Sequence, residues 1–395
     1  MTMRVSNLSR YEGAIDTLQR RQTEMSHAQL QMTSGKRVHV PSDDPTAAAR
    51  AERAFIAQQR ITAEQRSVDV SRNAMALVEA GLGQAGDLLQ SARERLLEAG
   101  NGSYNDGERQ ALSTHLKQLR SQLLAVANQT DGAGGYIFGG QGSVAPPFQD
   151  AVGGVAFAGS GGQGQVSVSE QMPTSVDGEA LWLTVRSGNG VFVTDAAATN
   201  TGSAYIAPGS VSDPSLLTGG SYDITFSVVG GVTSYTVNPV GATGSYVSGG
   251  TIYVDGMALQ VSGAPADGDQ FTIVPAAPDL DPFEALDRAI AVLDDPASND
   301  GLVAQAVSNG VRDMDAVMSH FQAARSVAGA TLSRLEVIDS RNQDRDLWAK
   351  SVQSDAEDLD MVQAVSDFQN KQTSYQAALQ SYSIVQRMSL FDYIK

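Results

Sequence analysis

The sequence predicts an α+β multidomain protein with paired N- and C-terminal coiled-coil helices, a helical bundle, and an inserted all-β domain at the tip. Apolar residues recur at heptad spacing near both ends of the chain, as they do in coiled coils. Inside these ends lie segments rich in Ala, Arg, Gln and Glu, which favour helix. The middle is instead rich in Gly, Thr and Val with period-two alternation, which predicts strands.

The N-terminal helix carries apolar residues at alternating steps of three and four, which places them on one stripe. That stripe consists of Leu8, Tyr11, Ile15, Leu18, Gln22, Met25, Gln29 and Met32. Glutamine at seam positions lowers stability and helps to fix register. The helix is expected to end at residues 33–45, where Gly35 permits a turn and Pro41 and Pro45 exclude regular helix.

Helix is predicted to resume after Pro45, with Asp43 or Asp44 as its N-cap. It continues to about Ala99, and three glycines at 81, 83 and 86 either bend it or permit close packing. A further helix spans about 106–128, and its predicted core face consists of Leu112, Leu116, Leu119 and Leu123.

The β region is predicted from a change in composition near Gly142. Two hairpins are expected, one turning at Gly230-Gly231 and one at Asp255-Gly256. The other predicted strands are Leu181–Arg186, Val191–Thr194 and Gln270–Val274. Between residues 146 and 280 there is one basic residue, Arg186, against eleven Asp and Glu. The two ends of this insert are expected to lie close together, so that it can be removed from its host.

Helix returns near residue 280, breaks at Asp295-Pro296, and resumes from about Ser298 through Leu347. The C-terminal helix follows, and its heptad stripe consists of Met361, Val365, Phe368, Gln372, Tyr375, Leu379, Tyr382 and Gln386. Three domains are therefore predicted: residues 1–40 with 350–395 as a terminal coiled coil, 41–145 with 278–349 as a helical bundle, and 146–277 as the β insert.

The two terminal stripes are expected to pair antiparallel. The apolar side chains form either an intramolecular core or a seam between subunits. We expect the assembly seam, because two helices cannot cover stripes of this length by themselves.

Composition excludes several functional classes. The net charge of −17 argues against nucleic-acid binding, which requires a basic surface. The sequence has no apolar run approaching a membrane span of about 20 residues. Its N-terminus has no apolar core typical of a secretory signal peptide. The chain has no cysteine, so thiol chemistry and disulfides are absent.

Catalytic and ligand-binding patterns are weak. Gly159, Gly161 and Gly164 spell G-x-G-x-x-G, but the following QVSVSE alternates like a strand, so a glycine-rich β loop is expected rather than a nucleotide site. The four histidines are scattered, and no calcium-loop pattern is present. We expect no enzyme activity, no cofactor and no metal site.

The stretch SGKRVHVPSDDPTAAARAERA at residues 34–54 resembles the motif that follows the terminal helix in the bacterial flagellin family. Residues 358–395 resemble its C-terminal partner, and residues 256–275 resemble a β segment of hook-associated proteins. The family's turn maps onto Gly35, Pro41, Asp43, Asp44 and Pro45. These residues and the ending Ser389–Ile394 are more similar to hook–filament junction members than to flagellins.

The resemblance implies a structural subunit of the flagellum outside the cell. Copies would form a ring-like layer between hook-associated protein 1 and flagellin, after type III export with a dedicated chaperone and without a cleaved signal peptide. The alternatives are a flagellin filament subunit and an adhesin-like binding module displayed on a flagellin-like stalk.

Overall fold

The computed structural model describes residues 7–143, 145–167 and 170–392. These residues form two compact units, one made of the described residues up to Gln65 and from Asp339 onward, the other of those from Arg66 to Ile338. The helices are α1 (Asn7–Ser34), α2 (Pro45–Ala99), α3 (Asp106–Ala127), α4 (Gly178–Trp182), α5 (Pro282–Asp294), α6 (Asp300–Glu357) and α7 (Met361–Asp392). The predicted α+β class is confirmed.

The strands are short and lie between α3 and α5. They are β1 (Phe148–Ala151), β2 (Gly154–Phe157), β3 (Gln165–Ser167), β4 (Gln171–Pro173), β5 (Val185–Arg186), β6 (Phe192–Ala196), β7 (Tyr205–Ile206), β8 (Ser210–Val211), β9 (Tyr222–Val229), β10 (Val232–Asn238), β11 (Ala242–Ser245), β12 (Thr251–Val254), β13 (Met257–Ser262), β14 (Gln270–Pro275) and β15 (Pro278–Leu280).

Helix boundaries follow their capping residues. Asp44, not Asp43, caps α2, because its Oδ1 accepts from the backbone N–H groups of Thr46 and Ala47 at 3.1 and 3.0 Å. The glycines do not interrupt α2: a Cβ at Gly81 would lie only 3.3 Å from Phe138 Cζ, so glycine permits close packing there. Helix α6 ends ten residues later than expected, since neither Gly nor Pro occurs between 330 and 357.

Both predicted hairpins are confirmed, whereas the predicted strand Leu181–Arg186 is a strand only at Val185–Arg186. Positive φ at both central residues, Gly230 and Gly231, suits the tight turn between β9 and β10. Residues 181 and 182, expected to open a strand, instead end α4. Asp177 caps α4 by accepting from Ala180 N–H, and both Leu181 and Trp182 are buried, which strand alternation does not allow.

The helical core of residues 66–338 is built around Trp182, which is fully buried. Its ring lies 4.8 Å from that of Phe321, 5.4 Å from Phe138, 5.9 Å from Phe283 and 6.0 Å from Phe148. Apolar faces of α2, α3, α5 and α6 pack in the same cluster. Residues between α3 and the β sandwich thus supply the centre of the bundle core.

A second core lies inside a β sandwich. One sheet has the strand order β11-β10-β9-β14-β6, the other β12-β13-β7, and their buried residues form one cluster that spans Phe192 to Ile273. The predicted β domain, residues 146–277, therefore contains side chains of two different cores. We propose a narrower insert, residues 188–276; the remaining domain boundaries stay predictions.

The ends of this narrower insert are joined by hydrogen bonds. Ser187 N–H donates to the carbonyl of Ala277 at 2.9 Å, and β5 pairs antiparallel with β15 directly beside them. The chain therefore enters and leaves the sandwich at one point.

The sandwich rests on a polar face of α6. The buried Gln305 amide accepts from Ile206 N–H at 2.8 Å and donates to Ile206 carbonyl at 3.2 Å, as a neighbouring strand would. Asn309 donates to Asp195 at 2.8 Å, and Arg312 donates to the Thr194 carbonyl at 2.8 Å. Spacings of four and three place these three helix residues on one stripe.

Asp281 predicts a pH dependence of stability. Its carboxylate caps α5 by accepting from Phe283 N–H at 2.7 Å and also accepts from Val155 N–H at 3.2 Å. Burial nevertheless raises its pKa to about 6. The folded state then binds more protons than the unfolded state between pH 4 and 6, so this carboxyl's contribution to the free energy of unfolding falls as pH rises through that window, by on the order of 1–3 kcal/mol.

We expect Asp281→Asn to flatten this pH slope in urea denaturation of the full chain. Asparagine has one amide oxygen, so it can accept from Phe283 N–H but cannot also accept from Val155 N–H. The variant therefore loses a hydrogen bond at every pH, and the quantity to compare is the pH slope of the free energy of unfolding rather than its absolute value. Asp279→Asn, at an exposed neighbouring carboxylate, is the matched control. An unchanged slope in Asp281→Asn would show that this carboxyl is already ionised at pH 4 in the folded protein.

Candidate assembly interface

The predicted family turn lies where two interhelical connections meet. Gly35 ends α1 in the left-handed conformation at φ +72°, which glycine adopts without strain. Its carbonyl accepts from Leu359 N–H at 2.9 Å, and Arg37 N–H donates to Glu357 carbonyl at 2.6 Å. These bonds tie the α1–α2 connection to the α6–α7 connection by an antiparallel bridge.

The two aspartates of the turn have different roles. Asp43 Oδ2 accepts from His39 and Val40 N–H groups at 2.9 and 3.0 Å, and these backbone bonds lower its pKa. Asp44 caps α2 directly before Pro45 and forms an ion pair with Arg37 at 3.1 Å. The hydrogen bond from Ala47 N–H and, after it, the hydrogen bond from Arg37 lower the pKa of Asp44. Both carboxylates therefore stay ionised and hold the turn rigid. Pro41 is exposed in the tight bend before them.

Helices α1 and α7 pack against each other, and the bridge at Gly35 fixes them antiparallel. On α1, four predicted seam residues are half-buried: Ile15, Leu18, Met25 and Met32. The two glutamines of the predicted stripe, at 22 and 29, are exposed, and Ala28 is buried instead. Leu8 and Tyr11 lie on α1, but their side chains fall outside what the structure describes.

On α7 the half-buried face differs from the predicted stripe at alternate positions. It consists of Ala364, Phe368, Lys371, Tyr375, Ala378 and Tyr382, again at steps of four and three. Phe368, Tyr375 and Tyr382 belong to both sets. Small alanines allow α1 to approach closely, which explains their place in the contact. The two alanines and the aromatic residues follow a 4–3 spacing in the sequence, and this spacing could have identified the face that packs against α1.

The other residues of the predicted α7 stripe whose side chains are described, Met361, Val365, Gln372 and Leu379, are exposed, and the side chain of Gln386 lies outside what the structure describes. Met361, Val365 and Leu379 are 46%, 40% and 42% exposed, and Val362 and Ile384 are more exposed still. We call Met361, Val362, Val365, Leu379 and Ile384 the outer stripe. Its apolar side chains are not covered by the chain within the part that the structure describes, and exposed Gln369, Gln372 and Gln376 lie between Val365 and Leu379 on the same side of α7.

The unit that contains these helices has a thin core. Its buried hydrophobic cluster consists of Val38, Ala47, Ala51 and Ala356, which are small side chains. Large apolar side chains on the same unit, such as Phe55 and Trp348, are exposed. Little apolar area is therefore removed from water inside one copy, and more remains available to a partner.

Other sequence features form no chemical site. The glycines at 159, 161 and 164 precede strand β3, not a helix, so the loop lacks the helix N-terminus that a dinucleotide phosphate requires. His39 lies in the family turn, and His27 of α1 reaches it, with His27 Nε2 3.3 Å from Asp43 Oδ1. Across the described ranges, no cluster of three or more His, Cys, Asp or Glu has metal-binding geometry, and no helix is long and apolar enough to cross a bilayer.

The family model for the bacterial flagellin N-terminal helical region matches residues 5–143. Flagellar hook-associated protein 3 of Salmonella typhimurium is 27% identical over 98% of this chain and 99% of that protein. The crystal structure of FlgL from Xanthomonas campestris is 30% identical with a TM-score of 0.64, and the match covers 72% of this chain and 94% of that one.

The chain belongs to the FlgL family of flagellar hook-associated proteins.

A second FlgL structure, described as the flagellar junction protein from Legionella pneumophila, has a TM-score of 0.68 at 27% identity and covers 78% of this chain and 100% of that one. FlgL relatives are structural proteins of the flagellum. The interface described above thus lies in the portion of the FlgL fold that contains both terminal helices and the family turn.

Proposed function

We propose that this chain is a structural subunit of the flagellar hook–filament junction. Its copies assemble through α1 and α7 into a ring-like layer between hook-associated protein 1 and flagellin. The chain reaches this place outside the cell by type III export, with a dedicated chaperone and without a cleaved signal peptide. It performs no catalysis and needs no cofactor.

The outer stripe is the observation that carries this proposal. An isolated subunit gains nothing from exposed Val362, Val365 and Leu379, whereas a neighbouring copy that covers them removes apolar area from water at about 25 cal/mol per Å². Names and structures of FlgL relatives support the location at the junction.

The thin core predicts that the terminal helices depend on assembly for their order. In a confirmed monomer, amides of residues 7–34 and 361–392 should exchange much faster than those of α2 residues near Leu82 and Leu89, which are buried in the bundle core. Assembly should protect them, because contacts with neighbours supply the ordering free energy. Hydrogen-exchange mass spectrometry on monomer and on isolated filaments measures both states. Strong protection of both terminal helices in the monomer would contradict the expectation.

A null strain separates the proposal from its alternatives. If the chain is a junction subunit, cells lacking it should retain the hook and shed unpolymerised flagellin. A filament subunit would instead leave an intact junction without filament. An adhesin would leave filaments in place and reduce attachment to surfaces. Electron microscopy and the flagellin content of the medium distinguish the three results.

A further inference from the structure

The longest segment of this acidic chain without a charged residue lies in the β sandwich. Residues 224–254 contain no Asp, Glu, Lys or Arg, although the chain as a whole carries a net charge of −17. They form strands β9 to β12 of the β sandwich. Their exposed side chains are apolar or hydroxylated, for example Val247 and Tyr253, with the amide of Asn238 as a further exposed polar group. The segment itself therefore adds no like-charge repulsion between two copies.

The outer face of the larger sheet carries two rows of hydroxyl groups. The β9–β10–β11 registers place Ser227, Ser234 and Ser245 in one cross-strand row. A second row consists of Thr225, Thr236 and Thr243. Both rows reach β11 without a charged side chain, whereas the next row on this face contains Asp223 of β9. The part of the face that borders β11 is therefore uncharged.

Two edge strands of the sandwich, β11 and β12, lie inside the uncharged segment. Strand β6, at one edge of the five-stranded sheet, is covered by α6 through the bonds of Thr194 and Asp195. At the opposite edge, β11 pairs with β10 alone among the described strands. In the second sheet β12 likewise pairs only with β13. On the other side of β13, β7 is bonded by Gln305 of α6, and the two-residue β8 is a further short edge. We call Ala242–Ser245 together with Thr251–Val254 the sandwich edge.

Open edges present unpaired backbone N–H and C=O groups, and proteins usually protect them with charged side chains, proline or bulges. Neither strand of the sandwich edge contains a charged residue or a proline. In a chain with abundant carboxylates elsewhere, this absence favours a partner that supplies a strand.

We propose that the sandwich edge pairs with the sandwich edge of a second copy of this chain, and so forms a lateral contact between neighbouring subunits. The proposal rests on the proposed function, because assembly through the terminal helices brings copies together. Four-residue strands make few hydrogen bonds, so the contact is weak in free subunits and becomes effective at the high local concentration of a ring.

Cysteine cross-linking in isolated flagella tests this contact, since the chain has no cysteine of its own. Thr243→Cys combined with Tyr253→Cys places one thiol on each strand of the sandwich edge. The control combines Ser227→Cys with Val274→Cys, both exposed positions on interior strands β9 and β14. With a short bis-maleimide, we expect covalent oligomers from the edge variant and a several-fold smaller cross-linked fraction from the control.

Lysine substitutions test the contact without a cross-linker. Thr243→Lys places a charge on the edge, and Ser227→Lys places the same charge on the same sheet but away from it. Only the first should lower the shear force that detaches filaments. Tyr253→Lys repeats the test on β12, and circular dichroism on each purified variant checks that the fold is retained.

The outcomes separate the two proposals. Edge variants that are present in flagella but stay monomeric, or cross-link no more than the control, overturn the lateral contact and leave the junction assignment intact. If the wild-type chain is absent from flagella, the junction assignment fails. The lateral contact then fails with it, because the contact depends on the local concentration that the ring provides. Binding to a neutral oligosaccharide array that Thr243→Lys abolishes would assign the edge to a carbohydrate and overturn the proposal.

Discussion

Leu379→Asp is expected to abolish filament attachment and motility while leaving the soluble fold intact. Leu379 lies on the outer stripe and is 42% exposed, so an aspartate there stays solvated in a single copy. In the assembled state the same carboxylate enters an apolar contact between copies, where an unpaired buried charge costs several kcal/mol. Swarming in soft agar and filament counts by electron microscopy measure the loss. Thermal unfolding of the bundle should be unchanged.

A nearby position on another face of α7 provides a matched control. Ser381→Asp introduces the same charge two residues further along α7, at an exposed position about 200° around the helix from Leu379 and outside the outer stripe. It should leave motility near the wild-type level. Leu18→Asp tests the other side of the pair, because Leu18 is half-buried between α1 and α7 and its loss should weaken their pairing as well. A motile Leu379→Asp strain would remove the outer stripe from the assembly contact.

The sequence was sufficient to predict that α1 and α7 pair, but not which side of α7 faces α1. The predicted stripe was built from large apolar residues at heptad spacing, and it therefore included Val365 and Leu379. The half-buried face instead contains Ala364 and Ala378 beside the aromatic residues, because close approach of two helices favours small side chains. Two stripes with the same period overlap on this helix, and period alone cannot rank them.

The limits of the β insert were harder to predict for another reason. Composition changes near Gly142, where Gly and Val become frequent, and this change set the predicted start. Yet Phe148 and Trp182 belong to the helical core, since the loops and hairpins that carry them close over α2 and α6. Local composition reports strand propensity, whereas membership of a core depends on tertiary contacts that only the fold reveals.

The separation of the bundle core, which includes Phe148 and Trp182, from the core of the β sandwich predicts opposite results for two deletions. Replacing residues 188–276 with Gly-Gly should leave a soluble, helical protein that is exported and still caps the hook. Ser187 N–H already donates to the Ala277 carbonyl at 2.9 Å, so a two-residue connection spans the gap as in a hairpin. The face of α6 that becomes exposed carries Gln305, Asn309 and Arg312, which water can solvate. Circular dichroism, thermal unfolding and complementation of a null strain measure the result.

Replacing residues 146–277 instead should give an aggregated or unfolded protein. That deletion also removes Trp182 and Phe148 from the bundle core, and truncation of a single buried Trp or Phe typically costs about 3–5 kcal/mol. Two such losses approach the whole stability of a domain, about 5–15 kcal/mol. Equal solubility of both deletion variants would show that residues 146–187 are dispensable to the core. If the 188–276 variant folds and is exported but no filament grows, the sandwich makes an assembly contact that the terminal helices cannot replace.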